Sequence, residues 1–141
     1  MKFNVAAIPA NVIDLIWDQV LPILDKVIAV SHQEVTAEGI KGRCLSGQNM
    51  MVTICEGNTI IAVTVLEVVA FETGLRALYI PIVGGSRMNE WLESSFEVAK
   101  AIAKDMNCTE IRGLIVRPGW FKQLFKMNWQ TITTVMRCPV E

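Results

Sequence analysis

The sequence predicts an α+β domain built on one mixed sheet. Three observations point there. Val- and Ile-rich runs at 50–56, 59–71 and 75–83 are separated by short turn sequences, which makes an antiparallel meander. Apolar residues at helical spacing flank those runs on both sides. A strand, a glycine pair, a helix and a further strand then follow one another, a β-α-β unit whose two strands can lie parallel.

The elements read as follows. Lys2 to Ile8 alternates weakly and suits an opening strand. Pro9-Ala10-Asn11 starts a helix, with Asn11 as its N-cap. Val12, Leu15, Ile16 and Val20 repeat at helical spacing, as do Ile23, Leu24, Val27 and Ile28. Pro22 falls between the two halves, where it should kink or restart the helix. Thr36 with Glu38 begins a short helix weakened by Gly39 and Gly42. The three meander strands turn at Glu56-Gly57-Asn58-Thr59 and at Thr73-Gly74. Asn89 caps the next helix, whose apolar face carries Trp91, Leu92, Phe96, Ala99, Ile102 and Ala103. Glu110 to Val116 is a strand, and Trp120 to Met127 a short helix closed by a left-handed Asn128. Thr131 to Arg137 is the last strand.

The whole chain, 1–141, fits a single domain. It is 52% hydrophobic and 19% charged, enough apolar residue to fill a core. A net charge of −1 with scattered Lys and Arg predicts no nucleic-acid surface and no anionic-membrane surface. The most apolar stretch, Ile60 to Phe71, is interrupted by Glu67 and too short to span a bilayer. The N-terminal residues read as mature sequence rather than a signal peptide. Cys44, Cys55, Cys108 and Cys138 show no C-x-x-C spacing and read as buried free thiols in a reducing compartment. The ligand count for a metal is missing, and the single His32 has no neighbouring nucleophile signal.

Gly84 and Gly85 stand between a buried strand and an amphipathic helix. Together with Val83, Ser86 and Arg87 they form a candidate anion cradle. Backbone N–H groups there can face a ligand, and the helix dipole favours negative charge.

The element order resembles the GCN5-related N-acetyltransferase (GNAT) family from about Ile8 to Arg137. A closer likeness is to small GNAT-like proteins of tailed phages. It rests on Gly84-Gly85, Trp91-Leu92, Asn107-Cys108 and Arg117-Pro118-Gly119-Trp120. The resemblance implies acetyl-CoA as cofactor, held by 83–87. Arg117-Pro118-Gly119-Trp120 reads in two ways: Arg117 meets a phosphate and Trp120 packs on the pantetheine arm or a partner, or Pro118-Gly119 is a turn and Trp120 a lid on the core. The family's Q/R-x-x-G-x-G/A spacing is replaced here by VGGSRMNEW. It implies a carboxylate base, for which Glu67 is placed best, and a tyrosine acid. The family's usual acid position holds Leu124 and Phe125, which leaves Tyr79, the only tyrosine. Glu67 also reads as a solvent-facing strand carboxylate and Tyr79 as a core residue with its hydroxyl at the surface. Trp91 reads as an anchor against the sheet.

Two functions stay open at this level. One is an N-acyltransferase acting on an amine. The other is a non-catalytic phage protein that keeps the fold as a virion component or host-interaction module. The corresponding location is host cytoplasm or virion, and GNAT-like domains often pair as homo-oligomers.

Overall fold

The computed structural model describes residues 2–115 and 119–140. Five strands form one sheet: β1 (Phe3–Ile8), β2 (Met50–Glu56), β3 (Thr59–Ala70), β4 (Arg76–Gly85) and β5 (Glu110–Gly113). Their spatial order is their chain order. β1 to β4 pair antiparallel, and β5 joins β4 in parallel. The parallel step needs a crossover, which is the long helix α3 (Met88–Asp105).

The predicted α+β mixed sheet is therefore present. Helices α1 (Ile13–Ile28) and α2 (Ala37–Ser46) cover one face of it. Ile13, Trp17, Val20, Leu24, Ile40 and Cys44 pack there on Met51, Val63, Val65 and Ile82. Helix α3 covers the other face, setting Ala99 and Ala103 on Val52, Leu66 and Leu78. Each fully buried Val, Leu or Ile contributes about 1.5–3 kcal/mol, so these two layers supply most of the apolar stabilisation. A last helix, α4 (Gly119–Lys126), packs through Leu124.

Several local expectations hold. The Thr36 hydroxyl accepts the Gly39 N–H at 3.0 Å and caps α2. Asn128 is left-handed, with φ 65°. The four cysteines are free thiols, but only Cys44 is buried as expected; Cys55 and Cys108 are half-buried and Cys138 is exposed.

Others are corrected. Asn11 lies inside a 3₁₀ turn (Ala10–Val12) and caps nothing. Pro22 does not restart α1, which runs unbroken through it. Pro22 and Asp18 are both exposed, so the Asp18 carbonyl that loses its i+4 donor faces water. Asn89 does not cap α3; Arg87 occupies the N-cap position in the left-handed region, and its side chain makes no capping bond. The glycine pair is no loop: β4 continues through Gly85, with Gly84 opposite Val63 and Gly85 opposite Ala62. Thr131 to Arg137 carries no strand, and 130–140 is exposed throughout.

Candidate functional site

The site begins with one irregularity in the β3–β4 ladder. Glu67 opposes Tyr79, and Val65 opposes Ile82. Two steps along β3 thus face three along β4, so β4 carries one extra residue around Pro81. That is a β-bulge, a place where a strand tolerates proline and bends. Up to Ile80 the strand still serves β5: the Leu114 N–H donates to the Ile80 carbonyl at 3.2 Å. Beyond the bulge the alternation is reversed. The Thr64 hydroxyl donates to the Ile82 carbonyl at 2.9 Å, and the Ser86 N–H donates to the Ile61 carbonyl at 3.1 Å. Ile82, Gly84 and Ser86 therefore direct their main-chain groups toward β3. Val83 and Gly85, one residue out of phase, direct theirs away from it, to the side β5 has left.

A cleft of about 880 Å³ opens on that side. Its walls are Ile80, Pro81 and Val83 to Gly85 of β4, the turn from Ser86 to Asn89, Gly113 to Ile115, α1, α3 and α4. Most of the lining is apolar: Ile23, Val27, Val83, Leu92, Phe96, Leu124 and Trp129. The volume lies in the range of small-molecule sites.

The turn at the end of the cleft is built tightly. Arg87 has φ 61°, a strained value for a residue with a side chain. Three contacts hold it. The Trp91 indole N–H donates to the Ser86 carbonyl at 2.7 Å, and the Arg87 guanidinium reaches Glu56 at 2.9 Å and Glu90 at 2.7 Å. The hydrogen bond from Arg87 is the main reason the Glu90 carboxyl sits at about 2 instead of 4.5. The same bond also leads in depressing Glu56, and the two carboxylates raise Arg87. Trp91 is thus the expected anchor, and Arg87 spends its charge inside the protein. The first N–H groups of α3, at Met88 and Asn89, have no side-chain cap, and both residues line the cleft.

Glu67 and Tyr79 lie elsewhere. Glu67 lines a neighbouring cavity of about 280 Å³ with Ile40, Arg43, Asn49, Val65 and Pro81. Pro81 borders both cavities. The Tyr79 hydroxyl is pushed up by burial first, then by Glu34 and Glu67. Val83, Gly84, Gly85, Ser86 and Arg87 do come together on one wall; Arg117 lies outside the described residues. Leu124 is buried in the cleft wall, and Phe125 is exposed. Among the described residues no group of His, Cys, Asp and Glu could hold a metal.

Sequence reasoning missed two residues. Lys26 on α1 lines the cleft and makes no salt bridge among the described residues. Only the packing of α1 over Gly84 brings it there. Thr64 pins the bulge, and a hydroxyl in the middle of the apolar run IIAVTVLEVV was its available signal.

No family model matches the sequence, and no curated protein matches it. Solved structures do match the fold. An aminoglycoside acetyltransferase, HMB0005, from an uncultured soil metagenomic sample superposes with a TM-score of 0.74 at 12% identity, over 100% of both chains. A second from such a sample, meta-AAC0020, gives 0.73 at 7% identity, over 99% of this chain and 97% of that one. The ribosomal-protein-alanine N-acetyltransferase of Brucella melitensis biovar Abortus 2308 gives 0.72 at 11% identity, over 97% and 99%. At these identities the likeness is one of fold: the chain has the α+β architecture of GNAT acetyltransferases.

Proposed function

We propose that this single-domain chain is a GNAT-like N-acyltransferase that takes acetyl-CoA in the cleft beside β4 and transfers the acyl group to an amine. The observation that carries this reading is the bulge at Pro81. It turns the main-chain groups of Val83 and Gly85 into the cleft after β5 has parted from β4. Unpaired N–H groups in an apolar wall call for an acceptor oxygen.

The residues present fit the cofactor along the apolar arm and less fully at its anionic end. Val83 and Gly85 offer N–H groups along the wall. Met88 and Asn89 offer uncapped N–H groups at the start of α3, where the helix dipole favours an anion. Ser86 gives its N–H to Ile61, and Arg87 is already paired with two carboxylates. Lys26 is therefore the better cation for a phosphate than Arg87. Gly84 serves by letting α1 approach the strand. Bound acetyl-CoA would supply an activated thioester.

Glu67 takes the proton that the acceptor amine must lose, through water in the cavity it lines next to Pro81. Tyr79 keeps its own proton at neutral pH, because burial and two carboxylates oppose its ionisation. It lines neither cavity, so any proton it gives to the leaving thiolate passes through water. Glu34 and Glu67 beside Tyr79 favour a cationic acceptor.

A second reading keeps the fold without the reaction, as a phage-type virion or host-interaction protein. The commitment of Arg87 to Glu56 and Glu90 favours it. Calorimetric and thermal-shift titration with acetyl-CoA separates the two. Binding to the folded state must raise its melting temperature. The enzyme reading expects a saturable rise that Lys26→Glu weakens; a flat response at millimolar ligand sinks it.

A further inference from the structure

The smaller cavity, of about 280 Å³, is lined by polar groups whose donors the fold leaves unpaired. They are placed by the way α2 ends. Gly47, at φ 84°, stops the helix and turns the chain toward β2, which sets Asn49 against Arg43. The Asn49 main-chain N–H donates to the Arg43 carbonyl at 3.0 Å, and the Arg43 Nε–H donates to Asn49 Oδ1 at 2.8 Å. The two residues are held as one unit.

That unit has donors left over. The terminal nitrogens of Arg43 donate to no described residue, and Arg43 belongs to no ion pair among them. Asn49 is 4% exposed. With its Oδ1 turned to the guanidinium, its amide nitrogen finds no described acceptor either. Both residues line the cavity. A buried amide beside a fixed guanidinium, each with unpaired donors, calls for a carboxylate. Glu67 on β3 lines the same cavity and makes no ion pair with Arg43. Val35, Ile40, Val65 and Ile82 add apolar wall.

We propose that the acceptor is a free α-amino acid with an apolar side chain. Arg43 and Asn49 take its carboxylate, and its amine is set toward Glu67. The transfer rests on the acyltransferase reading; the binding rests on the cavity alone. An α-amino acid carries both charges on one carbon, whereas a plain amine or a plain acid would satisfy one side of the cavity only. Pro81 borders both cavities, so amine and thioester meet there. Transfer forms an amide C–N bond and breaks the thioester C–S bond. The ammonium gives up two protons by way of Glu67 and water. One is released to solvent, and the other replaces the proton that Tyr79 gives, through water, to the thiolate.

Calorimetric titration of the full chain with L-leucine, L-methionine and L-phenylalanine, without acetyl-CoA, tests the site. At least one should bind at millimolar concentration or below. Its amide, which lacks the carboxylate, and its deaminated acid, which lacks the amine, should each bind about 10- to 100-fold more weakly. Arg43→Met should abolish the preference for the amino acid over its amide, with the fold retained by circular dichroism, and Arg43→Lys should restore part of it. A purely structural Arg43–Asn49 pair would lower stability and leave that preference alone. Equal affinity for amino acid and amide in the parent chain overturns the proposal without any variant, and so does no binding of all three at tens of millimolar. A chain that binds the amino acid but not acetyl-CoA overturns the acyltransferase reading and the acceptor role with it. A chain that binds acetyl-CoA but shows no carboxylate preference overturns the acceptor's identity alone.

Discussion

Gly84→Ala tests what sets the distance between α1 and the cleft wall. A Cβ added at Gly84 would overlap Val27 Cγ2, well under the 3.0 Å that real Cβ atoms keep, and would meet the Ile23 carbonyl at 3.6 Å. Carbon atoms pack best at about 3.5–4.0 Å, so α1 must move by about 1 Å or more. Overpacking of this kind costs about 1–3 kcal/mol. Gly84 is not in the left-handed region, so alanine also removes unfolded-state freedom and returns about 0.4–1 kcal/mol. The net loss is about 0.5–2 kcal/mol, a drop of roughly 2–8 °C in Tm for a chain of this size. Urea and thermal unfolding read it. Val27→Ala in the same chain removes the overlapping methyls, so the double variant should be more stable than the sum of the two singles by about 1 kcal/mol. Gly42→Ala is the control: nothing lies within 4 Å of its Cβ, it sits inside a helix, and it should stabilise by up to about 1 kcal/mol. An unchanged Tm for Gly84→Ala, or strict additivity with Val27→Ala, refutes the packing role of this glycine.

The other predictions concern the bulge, the turn and the chemistry. Thr64→Val removes the hydroxyl that donates to the Ile82 carbonyl and should cost about 0.5–1.5 kcal/mol in urea unfolding; a neutral variant removes Thr64 from the account of the bulge. Glu90 is held at about 2 in the fold against 4.5, so its pairing stabilises above pH 4.5 and is lost as pH falls through about 2. The fall in Tm over that window should be shallower in Arg87→Met, and equal slopes would show that the pair does not contribute. Lys26→Glu should weaken acetyl-CoA binding on the order of tenfold at low ionic strength and less in salt; an affinity that ignores both charge and salt moves the phosphate site away from α1. In an acyl-transfer assay Glu67→Gln and Tyr79→Phe should each lower kcat by about 10²–10⁴ with binding retained, and activity equal to the parent chain would remove the residue concerned from the mechanism.

The architecture was legible because most of it is written in local pattern. The three meander strands, both flanking helices, the Thr36 cap and the left-handed Asn128 each follow from spacing or turn chemistry within a few residues. The glycine pair was misread for a physical reason. Glycine signals both a loop and a close approach, and here α1 crosses Gly84 while the Ala62 strand crosses Gly85. The bulge had a clue in Pro81, a proline inside an apolar strand, but its consequence depends on which neighbour each edge serves. Lys26 was invisible because 58 residues separate it from Gly84 in the chain, and only packing joins them. Thr131 to Arg137 has strand composition without a strand, since composition states a preference and pairing needs an edge.

If the cleft is the binding site we propose, one residue of slippage at Pro81 makes the backbone itself its surface. Peptide groups are the same whatever side chains they carry, so substitution can rewrite the wall of this cleft while its donors stay in place. The solved structures reported above superpose over nearly their whole length at 7–12% identity, a divergence that leaves main-chain geometry in place. Deleting Pro81 would remove the extra residue and make the β3–β4 ladder regular, with Val83 and Gly85 still facing away from β3; the donors would survive, and only the bend in β4 would be lost.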